Sequence, residues 1–171
     1  MAIGGNVVRI TPTLDTSGAY ANGDVFFNYT EIPNVVHDRG GVSRIVGISA
    51  FNLDAQSIDC ELIFHQEGGT TKQNLGTLNS QPNISDLNFG NLGYLGTHQM
   101  QQADWISNDS SSDSAATMYT SAFSQADANP VGFLLKANEG SKSVYVSAVA
   151  KEAITIGAAT NLTIIIHVEY L

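Results

Sequence analysis

The chain has 171 residues, enough for one domain whose core needs no disulfide or metal to hold it. Lys and Arg number 7 against 16 Asp and Glu, a formal net charge of -9, while charged residues make up only 13%. That balance excludes a nucleic-acid binder, which needs a basic stripe for phosphates, and disfavours an anionic membrane surface.

In chain order, Val8 and Ile10 open an extended run that Pro12 ends or confines to a sheet edge. The stretch "SGAYANGD" holds Ser17-Gly18 and Asn22-Gly23, turn chemistry ahead of the β-branched and aromatic run Val25 to Thr30. "HDRGG", His37 to Gly41, is a loop by composition. Ser43 to Leu53 and Ser57 to Gln66 are strand-length runs separated by "DAQ", which predicts a hairpin. In the second run Ile58, Cys60, Leu62 and Phe64 face one side, and Asp59, Glu61 and His65 face a wet one. Cys60, the single cysteine, reads as a small core residue with no basic neighbour to activate it.

The middle of the chain is less regular. Between Gln73 and Leu135 there is no Lys or Arg, and glycines at 90, 93 and 96 argue against a stable helix. Ala115, Met118, Tyr119, Ala122 and Phe123 fit a helix, whereas Thr117, Tyr119, Ser121 and Phe123 fit a strand; the segment 114–126 carries both periods. "VGFLLKANEGSKSVYVSAVAKE" reads as strand, turn and strand, with Val144, Val146, Ala148 and Ala150 in alternation. Leu162, Ile164, Ile166, Val168 and Tyr170 alternate through the last ten residues, which predicts a terminal strand with one buried face. Ile165, on its nominally wet face, implies that this side too is partly covered.

Strands at turn-punctuated intervals, with at most one or two short helices, predict an all-β fold. An antiparallel β-sandwich is the expected architecture, the jelly roll being one arrangement that fits. One domain spans 1–171, with 1–6 as an N-terminal arm. No apolar run reaches 18 residues, and the first ten residues lack a basic segment followed by an apolar one, so neither a membrane span nor a secretory signal is expected.

Signatures of catalysis are missing from the sequence. There is no Gly-x-Ser-x-Gly elbow, P-loop, dinucleotide fingerprint or Cys-x-x-Cys pair, so a non-enzyme without cofactor or metal is expected. His37, His65, His98 and His167 are scattered. His65 and His167, both read as outward-facing, would make a transition-metal pair only by meeting on one sheet face, and solvated or interface roles fit them better. "SNDSSSDS", Ser107 to Ser114, is rich in oxygen ligands but lacks the spacing of an EF-hand loop. Trp105 fits a core position, and in an exposed setting would offer a platform for stacking on a sugar ring.

The opening "RITPTLDTSGAYANGDVFF" resembles the start of a group of small virion-associated proteins of tailed phages, which look like capsid decoration, or cement, proteins. "SAAT" at Ser114 to Thr117, "SVYVSAV" at Ser143 to Val149 and "TNLTIIIHVEYL" at the end fit in the same order. The resemblance implies a structural protein on the outer capsid surface, made in the host cytoplasm. It also implies contact with the major capsid protein and self-association as a homotrimer. Ile165, His167, Tyr170 and Leu171 are then the expected interface residues. The alternative is a carbohydrate-binding, lectin-like or receptor-binding sandwich that uses Trp105, Tyr94 or Tyr119 for stacking.

Overall fold

A computed structural model describes residues 4–54, 56–66, 75–83, 93–107, 117–122 and 133–171, with backbone alone at 107 and 117–122. These residues form ten strands in chain order: β1 (Gly5–Ile10), β2 (Val25–Ile32), β3 (Val42–Asn52), β4 (Cys60–His65), β5 (Tyr94–Met100), β6 (Trp105–Ser107), β7 (Thr117–Ala122), β8 (Leu134–Lys136), β9 (Val144–Ala150) and β10 (Leu162–Tyr170). One 3-10 turn, Gln102–Asp104, precedes β6. No α-helix occurs among the described residues.

Every pairing is antiparallel and divides the strands into two sheets. The larger runs β1-β10-β3-β7-β6, with β8 also paired to β3; the smaller runs β2-β9-β4-β5. Setting aside the short strands β6 and β8, the orders β1-β10-β3-β7 and β2-β9-β4-β5 are those of an eight-stranded jelly roll. The fold is thus an all-β sandwich. Its core lies between the sheets, where Phe26, Phe27, Ile45, Ile48, Leu62, Phe64, Val146 and Ile166 are fully buried.

The alternation in the last strand has the expected consequence. β10 pairs with β1 on one side and β3 on the other, and Leu162, Ile164, Ile166 and Val168 point into the core. Strand β1 ends at Ile10, two residues before Pro12, and lies at the sheet edge. Gly5 and Asn6, which the sequence placed in an arm, are paired with Glu169 and Val168 instead. The strand period therefore begins earlier than the glycines suggested.

The expected hairpin between Ser43 to Leu53 and Ser57 to Gln66 does not form. β3 pairs with β10, β7 and β8, whereas β4 pairs with β5 and β9 in the other sheet. The connection crosses between layers, so the apolar faces of the two runs meet through the core, not side by side. The two-period segment resolves as strand over Thr117–Ala122, where β3 supplies a ladder that a helix could not join. Its flanks, 108–116 and 123–132, lie outside the described residues, and with them most of the oxygen-rich loop.

The stretch that carries the resemblance builds the corner from the large sheet to the small one. Asp15 accepts hydrogen bonds from the Ser17 amide at 2.9 Å and hydroxyl at 2.8 Å. The buried Tyr20 hydroxyl accepts from the Asp15 amide at 2.6 Å, and burial raises that phenol to about 12. Gly23 takes φ +92°, the left-handed conformation that glycine accepts without strain. Asp24 then accepts from the Ala21 amide at 2.8 Å and from the Gln81 side-chain amide Nε2 at 3.0 Å. The motif is a folding device. Tyr20→Phe should cost about 1–2 kcal/mol, because it strands a partly buried amide. Thermal unfolding would show this as a midpoint lowered by several degrees, and an unchanged midpoint would remove the tyrosine from the corner's energetics.

Candidate functional site

The broadest candidate surface is the outward face of the large sheet. Side chains alternate across the pleat, so the residues between the core positions of each strand share this face. Register places Val7, His167 and Gly47 in one row, and Arg9, Ile165 and Ser49 in the next. Thr163, Phe51 and Ile106 share a third row through β7. A bulge between His167 and Val168 pushes out Val46, which remains 44% exposed. Val7 is 60%, Leu134 54% and Ile106 65% exposed, so apolar side chains reach solvent from β1 across to β6.

Charge on this face is sparse. The Arg9 guanidinium lies 5.6 Å from the Phe51 ring centroid, a cation–π contact across β10. Arg44 and Glu169 form an ion pair on adjacent strands. His167 Nε2 lies 3.4 Å from the Ser49 hydroxyl.

The expected interface residues occupy different settings. Ile165 and His167 are half-buried in the middle of the face. Tyr170, also half-buried, closes one end: its ring meets His37 at 5.5 Å, and its hydroxyl donates to the Asn34 carbonyl at 3.3 Å. Leu171 is exposed, with its amide donated to Val42. Ile165 and His167 therefore belong to the sheet face, and Tyr170 and Leu171 to its rim. Sequence reasoning missed Val7, Val46 and Ile106 on the same face. An alternation argument applied to β1 would have found Val7, whereas the bulge that exposes Val46 has no sequence signal.

Trp105 is not a stacking platform. It is 7% exposed, and its indole N–H donates to the Ile58 carbonyl at 2.7 Å. The ring faces inward because β6 alternates, leaving Ile106 outward. Tyr94, at the start of edge strand β5, is exposed.

The two histidines of the metal pairing lie in different sheets, His65 on β4 and His167 on β10, so they cannot meet. His65 faces outward as expected, yet it is fully buried, against the expectation of a wet position. Its Nε2 lies 3.0 Å from the Ser147 hydroxyl, and its Nδ1 has no partner among the described residues. Burial lowers its pKa to about 4, so the ring is neutral at pH 7. The pair has the spacing of a Ser–His dyad, but both residues are fully buried and nothing among the described residues orients the second nitrogen. Cys60 is likewise fully buried, and burial pushes its thiol far up, away from reactivity. Among the described residues no group of three His, Cys, Asp or Glu is placed to hold a metal, and no helix is long and apolar enough to cross a membrane.

Comparison of the chain with models of known protein families, with curated proteins and with solved structures gave no match.

Proposed function

We propose that this chain is a virion structural protein, a capsid decoration or cement protein that binds the outer surface of a tailed-phage shell and stabilises contacts between capsomers. The observation that carries the reading is the large sheet's outward face, where the apolar side chains Val7, Val46, Ile106 and Leu134 stand exposed on four strands. Several exposed apolar side chains on one face are a mark of protein–protein contact. The stretch that resembles virion proteins supports it from another side. The hydrogen bonds of that stretch, from Asp15 to Asp24, hold the corner of the sandwich, as suits a protein that works by shape. Repeated copies on one shell would add their modest affinities through multivalency.

Co-sedimentation with empty shells of the encoding phage, stripped of this protein, tests the reading. Binding should saturate at a fixed number of copies per shell and raise the temperature at which the shell breaks. Protein that stays in the supernatant at concentrations well above micromolar would refute it. The carbohydrate-binding alternative retains Tyr94 as its exposed aromatic on the described surface. Glycan binding that is saturable and lost in Tyr94→Ala would favour that alternative.

A further inference from the structure

We infer that Asn22–Gly23 is a modification site kept closed by the fold: when the corner between the sheets opens, Asn22 converts to isoaspartate, and the converted chain cannot close the corner again. Asn22–Gly23 is the chain's single Asn-Gly pair. Glycine after asparagine leaves the next amide nitrogen unhindered, which favours cyclisation. The Gly23 nitrogen attacks Asn22 Cγ and forms an N–Cγ bond, while the Cγ–Nδ2 bond breaks and ammonia leaves with the proton of the Gly23 amide. Water then opens the cyclic imide. Addition at the main-chain carbonyl breaks its bond to the Gly23 nitrogen and gives isoaspartate, whereas addition at Cγ gives aspartate. Water is the one co-reactant.

The fold requires this reactive pair and disarms it. The Asp24 amide donates to the Ala21 carbonyl at 3.1 Å, and φ is positive at Gly23, +92°, but not at Asn22. That is a type II turn, which calls for glycine at its second central position. A Cβ there would also crowd the Gln81 side-chain amide at 3.2 Å. A type II turn holds ψ of its first central residue at about +120°. The Gly23 nitrogen is thereby turned away from the Asn22 side chain, although the cyclic imide needs the two eclipsed. The same nitrogen donates its proton to the Ala150 carbonyl at 2.8 Å, and the Ala150 amide donates back to the Asp24 carbonyl at 2.8 Å. Asn22 itself is exposed, so water reaches it and the backbone supplies the protection.

Conversion is a one-way step for the same structural reasons. Isoaspartate adds a methylene to the backbone between residues 22 and 23 and leaves a new carboxylate beside it. The longer chain cannot span Ala21 to Asp24 in one tight turn, and it carries the Gly23 amide off the Ala150 carbonyl. The new charge stands two residues from the Asp24 carboxylate. That group is 7% exposed and already takes the Ala21 amide and the Gln81 side chain as its donors.

Peptide mapping by mass spectrometry, with isoaspartate located by fragmentation, tests this on the purified chain at mildly alkaline pH. No shell is needed, so the result is separate from the fate of the capsid reading. Native chain should convert Asn22 roughly 10-fold or more slowly than chain unfolded in urea, because the corner must open first. Tyr20→Phe, which loosens the corner, should convert roughly 5- to 30-fold faster than the native wild type. If that variant fails to fold, sub-denaturing urea on the wild type serves and should speed conversion in the same way. Isoaspartyl chains, separated by ion exchange and returned to native buffer, should melt below Asn22→Asp, which carries the charge without the extra methylene. Equal rates in native and unfolded chain, or no conversion in the unfolded chain, would overturn the proposal. So would a rate that neither the variant nor urea raises, or isoaspartyl chains that melt like Asn22→Asp.

Discussion

Ile166→Ala is expected to cost about 2–5 kcal/mol, while Ile165→Ala, one residue away, costs about 1 kcal/mol or less. Ile166 is fully buried, opposite Val8 on one side and Ile48 on the other, both of them core residues. Truncating it removes three carbons from a packed interior where Val8 and Ile48 are held by their own strands and cannot both close in. Ile165 points the other way, half-buried between Arg9 and Ser49. For a chain of this length each kcal/mol moves the unfolding midpoint by roughly 2–4 °C, so the first variant should melt on the order of 10 °C lower. Equal midpoints for the two variants would mean that β10 does not present its faces as described.

Stability should also fall as the pH drops from about 6.5 to about 4. Burial lowers His65 to about 4 from an ordinary value of 6.5, so between those values the unfolded chain binds the proton and the folded chain does not. The contribution is fully present above pH 6.5, is lost progressively down to about pH 4, and changes no further below that. The span corresponds to stability on the order of 3 kcal/mol. His98 acts in the same direction: burial lowers it, and the nearby Asp104 charge opposes that only in part. Asp15, lowered chiefly by its hydrogen bond from the Ser17 amide, loses its contribution at more acidic pH, below the carboxylate range. Glu152, raised chiefly by burial, works in the opposite sense as acid is added. His65→Gln can keep the hydrogen bond to Ser147 without titrating. Its urea-unfolding free energy should therefore depend on pH visibly less than that of the wild type between 6.5 and 4. Parallel profiles for the two proteins would show that His65 is accessible to protons in the folded chain.

What the sequence conveyed was period, and what it withheld was partnership. Alternation in residues 162–170 and 144–150 identified two strands and the faces they bury, because a half-buried strand must repeat every second residue. Pro12 correctly confined β1 to an edge. The same signal cannot say which strand lies beside which. The run ending at Leu53 and the run beginning at Ser57 looked like a hairpin, although they belong to different sheets. A short connection that turns back within a sheet and one that crosses the core can carry similar residues. His65 shows the complementary gap. Its outward parity was legible, but its burial was not, because that depends on what packs over the small sheet and on the hydroxyl of Ser147, 82 residues away. The face of the large sheet was glimpsed through Ile165 and His167 alone. Val7, Val46 and Ile106 join it only when β1, β3 and β6 take their places in the ladder.

The place proposed for the protein is the outside of a phage shell. Electron cryomicroscopy of stripped shells before and after addition of the purified chain tests it most directly. Extra density on the outer surface at fixed, symmetry-related positions, fitted by the two-sheet sandwich, is the predicted result. Shells that look the same after saturating addition, or density confined to the interior, would contradict it.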